Sequence, residues 1–328
     1  MLCIIVLFQG YIMTESQAAA TPAEALALLS LPQEHLFARA TALRETAFGR
    51  GIVLCAIINA RSGNCSMDCR FCSQSRHNHT PIEVFPLLPD NELRERILHL
   101  AALPVARIGV VTSGSALSGS ELQRLRTVIS GLPDTVRPRV CASLGKLTAE
   151  DFALLSGAGL TRFHHNMETS QGYYSSVCTT QTWEQRRDTV LRSSEAGLSV
   201  CSGGLFGLGE SWEDRVDFAF SLKKMGVAHV PMNFLHPHPE TPLAGQKPLT
   251  ADEALTLIAV FRHILPQATL RICGGRPLVL GSRQNEIFAA GANALMTGDY
   301  LTTHGQSIAH DLEMIAAQGL EVRCDANC

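Results

Sequence analysis

Eight short, apolar, β-rich runs alternate with amphipathic helical stretches from about residue 50 onward, which restricts the chain to a parallel sheet covered by helices. The runs lie near 52–59, 107–112, 138–143, 161–166, 199–206, 229–235, 268–273 and 293–297. Helix candidates fall between and after them at 90–102, 119–130, 149–157, 183–196, 211–225, 251–264, 283–290 and 306–318. Two helices open on readable start signals, Thr148 with Asp151 and Ser211 with Asp214. There a side-chain oxygen can accept from the N–H groups that a first helical turn leaves unsatisfied. Eight strand–helix units close a (β/α)8 TIM-type barrel. The expectation is one barrel over 49–320, an N-terminal extension with lead-in helices over 1–48, and a cysteine-containing tail over 321–328.

An apolar share of 46% in 328 residues is ample for such a core. A net charge of −3 with interspersed signs leaves no footprint for nucleic acid or an anionic membrane. Eleven cysteines in a chain this large point to metal or redox use rather than a disulfide scaffold. Such use calls for a reducing compartment, hence the cytoplasm. The start, MLCIIVLFQGYIM, is too short to span a bilayer and has no Lys or Arg before its apolar run. Met13 is read as the natural start codon in place of Met1.

Chemistry concentrates in a few places. Cys65, Cys69 and Cys72, spaced C-x3-C-x2-C, follow the first strand, where a barrel builds its active site. Three local thiolates without a fourth suit a cubane cluster with one iron left open; structural zinc would need another ligand from His77, His79 or a distant Cys. Cys141 and Cys201 sit at comparable depth on the third and fifth strands, and Arg271 and Cys273 share one face of the seventh. If all point inward, three thiolates and a guanidinium converge, and a buried Arg needs anionic partners. In CSGGLFGLGE, the glycines at 203, 204, 207 and 209 let backbone approach a ligand closely or simply make a tight turn. Asn166, Glu168 and Asn233 lie at or near strand ends; an Asn amide suits an amide- or ureido-like ligand, or a satisfied core hydrogen bond. Cys3, Cys55 and Cys178 are read as structural, and the histidines at 164, 165, 236 and 238 are set aside as a metal site.

The ordered segments CSMDCRFCSQS, HHNMETS, VCTTQTWEQRRDT, VCSGGLFGLGE, PMNFL, LRICGGR and GANALMTGDYLTT make the chain resemble the radical S-adenosylmethionine (SAM) enzymes, and within them the biotin synthase family, from about residue 45 to 320. The resemblance implies that Cys65, Cys69 and Cys72 hold a 4Fe–4S cluster whose open iron chelates SAM and, on reduction, yields a 5′-deoxyadenosyl radical. It implies SAM contacts at Glu168 and Arg186, with Gly203 and Gly204 in the turn beside them, and dethiobiotin contacts at Asn166 and Asn233. Sulfur would come from an auxiliary cluster, 2Fe–2S or a variant. The family's auxiliary ligands are three cysteines and an arginine, and Cys141, Cys201 and Arg271 match three of them. The fourth, a second-strand cysteine, falls on Gly109, while Cys273 stands where a serine is common. The expected set is therefore Cys141, Cys201 and Cys273, with Arg271 nearby. Cys324 and Cys328 are possible accessory thiols that deliver sulfur or iron or cap the barrel, or else a frayed tail. A one-electron reductant protein such as flavodoxin or ferredoxin and a homodimer are implied as well. The rivals are a related radical enzyme, of the hydrogenase-maturation or methylornithine-forming type, and a non-catalytic metal-binding or sulfur-carrier protein.

Overall fold

The computed structural model describes residues 18–324, so Cys3, Met13 and Cys328 lie outside the described residues. The strands are β1 Gly51–Arg61, β2 Arg107–Thr112, β3 Val140–Ser143, β4 Arg162–His164, β5 Ser199–Cys201, β6 Gly204–Phe206, β7 His229–Phe234, β8 Thr269–Ile272, β9 Ala294–Met296 and β10 Glu321–Arg323. All pair in parallel, in the order β1 through β9, and β9 returns to β1 to close the barrel. β5 and β6 are two pieces of one barrel strand. The break is steric: a Cβ on Gly203 would stand 1.9 Å from the Pro231 carbonyl oxygen of β7.

The helices are α1 Pro22–Ala27, α2 Gln33–Phe48, α3 Asp90–Ala101, α4 Gly119–Ser130, α5 Ala149–Gly157, α6 Trp183–Glu195, α7 Trp212–Lys224, α8 Ala251–Ile264, α9 Arg276–Leu280 and α10 Ile308–Ala317. The expected capping boxes are present at Thr148 with Asp151 and at Ser211 with Asp214. Where a helix was expected at 283–290, α9 comes earlier and runs into a 3-10 turn over Gly281–Ile287. Gly275, at φ +76, turns the chain sharply off β8, and Pro277 suits the first helical turn. The first three residues of the presumed tail form β10, paired with Gly51–Val53 at the start of β1. Among the described residues no helix is long and apolar enough to cross a membrane.

The strand registers fix which residues share a level inside the barrel. Cys55 pairs with Arg107, Ile108 with Val140, Cys141 with Arg162, and Phe163 with Val200. Cys201 pairs with His229, Val230 with Leu270, Arg271 with Ala294, and Leu295 with Leu54. Advancing one residue per strand, the circuit starts at Cys55 and returns to it, the stagger of a (β/α)8 barrel. Inward side chains from alternate strands form one layer in this geometry. Here that layer is Cys55, Cys141, Cys201 and Arg271.

The C-terminal half of CSGGLFGLGE is a structural turn. The buried Glu210 carboxylate accepts from the N–H groups of Gly207 (2.9 Å) and Leu208 (2.7 Å) and from Arg215 Nε (2.8 Å). Replacing Glu210 by Ala strands the buried Arg215 cation and is expected to cost about 3–5 kcal/mol. The urea midpoint of the cluster-free protein measures it.

Candidate active site

Two cavities are stacked along the barrel axis. The outer one, about 430 Å³, opens at the C-terminal ends of the strands and is lined by Cys65, Cys69 and Cys72. Backbone bonds hold the cysteine loop in shape, Cys65 N–H to Gln74 O at 3.0 Å and Arg76 N–H to Cys65 O at 2.9 Å. The Asn78 amide donates to the Cys69 and Cys72 carbonyls at 3.2 and 2.8 Å.

Asp68 ties this loop to the segment before α6. Its carboxylate accepts from the backbone N–H of Thr179 (2.9 Å) and Thr180 (3.0 Å) and from both hydroxyls. Burial opposes its ionisation, but these donors outweigh it and hold the carboxyl below the usual range. A depressed folded value means that the anchoring is complete above the unfolded value of about 4 and fades as pH falls below it. Asp68→Ala is expected to speed amide exchange in the loop roughly tenfold, the effect of losing about 1.4 kcal/mol of local hydrogen bonding. Hydrogen–deuterium exchange of the cluster-free protein reads this directly.

Glu168 and Arg186 line the outer cavity opposite the loop. Glu168 adopts φ +71, a left-handed conformation costly for a residue with a Cβ. Its backbone is held there by Glu168 N–H to Gly203 O (3.2 Å) and Leu205 N–H to Glu168 O (2.9 Å). Arg186, on α6, donates from Nε to the Tyr174 hydroxyl (2.7 Å) and from Nη1 to the Asn166 carbonyl (2.9 Å). Its Nη1 stands 3.5 Å from Glu168 Oε1. Burial raises the Glu168 pKa even though Arg186 pulls it down.

Gly203 and Gly204 line neither cavity. They position its wall: Gly203 N–H donates to Asn166 Oδ1 (3.2 Å), and Asn233 Nδ2 donates to the Gly204 carbonyl (3.2 Å). A Cβ on Gly204 would lie 2.3 Å from Glu168 O, so only glycine lets β6 approach the Glu168 turn. Asn233 Oδ1 also accepts from Gly274 N–H at 3.1 Å. Part of each Asn amide is thus the satisfied core bond that the sequence left open.

The inner cavity, about 260 Å³, lies beneath and shares His164, Asn166 and Asn233 with the outer one. Cys141, Cys201, Cys273 and Arg271 all line it, and so does Gly109, whose missing side chain leaves bare wall. Sequence reasoning read Cys55, which also lines this cavity, as structural, and it did not single out the lining residues Arg107 and Arg162. It also set aside His164, whose Nδ1 stands 3.3 Å from Cys201 Sγ and whose pKa burial lowers to about 4. Nothing in the sequence of its strand singled out Cys55; only the structure shows that the face it shares with Ile57 lines the cavity.

The inner cavity calls for negative charge. Arg271 is 2% exposed; its Nη1 lies 3.7 Å from Cys201 Sγ, while Nε and Nη2 have no hydrogen-bond partner. Burial works against its charge, yet the surrounding thiols, Cys55 foremost, hold its pKa above the usual value. Burial pushes the Cys55, Cys141 and Cys273 thiols up, so ligation must displace their protons. Among the described residues no three His, Cys, Asp or Glu side chains close on a point as around one ion. A cluster of several irons fits such a set of separated thiols beside a guanidinium. The tail thiol Cys324 is exposed and follows β10, which joins the start of β1, away from both cavities.

Residues 60–222 match the Radical SAM superfamily, and residues 231–321 match the Biotin and Thiamin Synthesis associated domain. The chain is 70% identical over 316 residues to a biotin synthase of Desulfovibrio desulfuricans, covering 96% of this chain and 100% of the relative. A biotin synthase of Pelotomaculum thermopropionicum is 43% identical over 302 residues, 91% of this chain and 94% of that one. Among solved structures, a methylornithine synthase superposes with TM-score 0.77 at 19% identity, covering 92% of this chain and 94% of that one. The FeFe-hydrogenase maturase of Carboxydothermus hydrogenoformans gives 0.79 at 19% identity, over 92% and 75%. At that identity the two structures speak for the barrel alone. The rival reactions therefore share only an architecture with this chain, whereas identity along nearly its whole length shows that it belongs to the biotin synthase family of radical SAM enzymes.

Proposed function

We propose that the two stacked cavities divide the conversion of dethiobiotin to biotin, the outer one serving radical formation and the inner one sulfur supply. The observation that carries this reading is their shared wall of His164, Asn166 and Asn233, where a substrate would face both thiol sets at once. When bound, the 4Fe–4S cluster with SAM supplies a carbon radical able to abstract hydrogen from unactivated C–H bonds, and the auxiliary cluster supplies the sulfur.

The chain's own residues hold, orient and shield. Cys65, Cys69 and Cys72 are the thiolate ligands of the outer cluster, and the loop bonds around Asp68 and Asn78 keep them in place. Glu168 and Arg186 bind SAM; the strained Glu168 backbone aims a carboxylate where Arg186 keeps it oriented. Gly203 and Gly204 serve the same site indirectly, as the close-packed backbone that Asn166 and Glu168 lean on. Asn166 and Asn233 hold the ureido ring of dethiobiotin. Backbone N–H groups pin their Oδ1 atoms and fix each amide's orientation, leaving hydrogen-bonding capacity for the ligand. Cys141, Cys201 and Cys273 hold the auxiliary cluster, with Arg271 balancing its charge. A one-electron donor protein such as flavodoxin or ferredoxin, a homodimer and the cytoplasm complete the reading, because a thiolate-held cluster needs reducing surroundings.

An anaerobic assay of the reconstituted protein with SAM, dethiobiotin and a low-potential reductant tests it. Both 5′-deoxyadenosine and biotin are expected. Neither product would overturn the assignment, and deoxyadenosine without biotin from fully loaded protein would turn it toward a related radical reaction.

A further inference from the structure

The second strand of the barrel leaves the inner cavity short of a ligand. Gly109 lines the cavity without a side chain, and a Cβ built there would stand 3.0 Å from Ile57 Cγ2 of β1. Ile57 already fills that part of the wall, so the local packing does not await a larger residue. Two positions earlier on the same face of β1 stands Cys55, 7% exposed and lining the same cavity. The strand registers put it in one layer with Cys141, Cys201 and Arg271. Cys273, two residues past Arg271 and just beyond the end of β8, lines the same cavity.

The bland alternative makes Cys55 a small core hydrophobe. Its surroundings are not those of an apolar core, because Arg107, Arg162 and Arg271 line the same 260 Å³ space. A buried guanidinium such as that of Arg271 requires compensating negative charge. The unpartnered Nε and Nη2 of Arg271 locate that need at the level of Cys55.

We propose that Cys55 is a thiolate ligand of the auxiliary cluster, taking over from the neighbouring strand the place that Gly109 leaves bare, alongside Cys141, Cys201 and Cys273. The proposal rests on the reading that the inner cavity holds the sulfur-supplying cluster. Arg271 then acts as a charge partner within the layer rather than as an obligatory ligand.

The test uses the full chain with Cys65, Cys69 and Cys72 all replaced by Ala, so that bound iron reports the inner cavity alone. After anaerobic reconstitution with iron-57 and sulfide, iron and sulfide content and Mössbauer spectra are compared with and without Cys55→Ser and Cys55→Ala. Loss of iron from the Ala variant and altered iron sites in the Ser variant are expected, with the melting temperature of the cluster-free proteins little changed. Unchanged metal content and spectra in both variants would overturn Cys55 as a ligand. Should the parent triple variant hold no iron before Cys55 is touched, the inner-cavity reading itself fails, and Cys55 with it. The nearly isosteric Ser variant keeps the test decisive if the Ala variant misfolds.

Discussion

Replacing Cys69 by alanine is expected to abolish both 5′-deoxyadenosine and biotin formation while leaving the inner cavity's iron in place. Cys65, Cys69 and Cys72 sit on one loop after β1, and neither Asp68, committed to Thr179 and Thr180, nor Asn78, committed to backbone carbonyls, is free to replace a lost thiolate. Two thiolates cannot hold a cluster built for three protein ligands and a substrate-binding iron. Cys178, whose Sγ lies 3.2 Å from Asp68 Oδ1, is the nearest spare thiol, and it is likewise engaged there. The substitution removes one sulfur from a cavity wall, so stability without clusters should change by about 1 kcal/mol at most. Iron analysis separates the outcomes. Loss of the outer complement alone fits the two-cavity arrangement, and SAM cleavage at the parent rate would refute the loop as the site of radical formation.

Arg271→Met is expected to move stability in opposite directions in the cluster-free and loaded proteins. Without clusters, the guanidinium is buried with two nitrogens unpartnered, and it raises the cost of the Arg107 charge in the same cavity. Burial and neighbouring cations, Arg162 and Arg271, lower the Arg107 pKa to about 10. Burying a charge with unpartnered nitrogens is costly, so an apolar side chain of similar volume in its place is expected to stabilise the cluster-free protein. In the loaded protein the same exchange removes positive charge beside an anionic cluster, and inner-cavity iron should fall. Anaerobic calorimetry of both forms with iron analysis checks the two signs. A parallel drop in both melting temperatures would mean that Arg271 only supports the core, and the cavity's need for an anion would have to be abandoned.

The eight runs of β-forming residues and their intervening helices were legible because strand and helix periodicities are local properties. So were the capping boxes at Thr148 and Ser211 and the loop at Cys65, which need only near neighbours in the chain. The helix expected at 283–290 was misplaced because what starts α9 is a contact with a distant strand: a Cβ on Gly275 would lie 1.9 Å from the Phe234 carbonyl oxygen. β10 was missed for a similar reason. Three exposed or half-exposed residues carry no strand signal, and only the free edge at the start of β1 makes them one.

The sequence by itself determined a closed α/β barrel, a three-cysteine loop after its first strand, and that Arg271 and Cys273 share a strand face. All of these follow from residue type and period along a single stretch of chain. Tertiary structure alone decided that Gly203 and Gly204 shape the site from behind, that Asn166 and Asn233 are partly engaged by backbone, and that Cys55 stands level with Cys141 and Cys201. A level inside a barrel is the sum of every strand register around the circuit. No single strand carries that sum, so a cysteine silent in its own segment becomes chemically pointed only once the sheet closes.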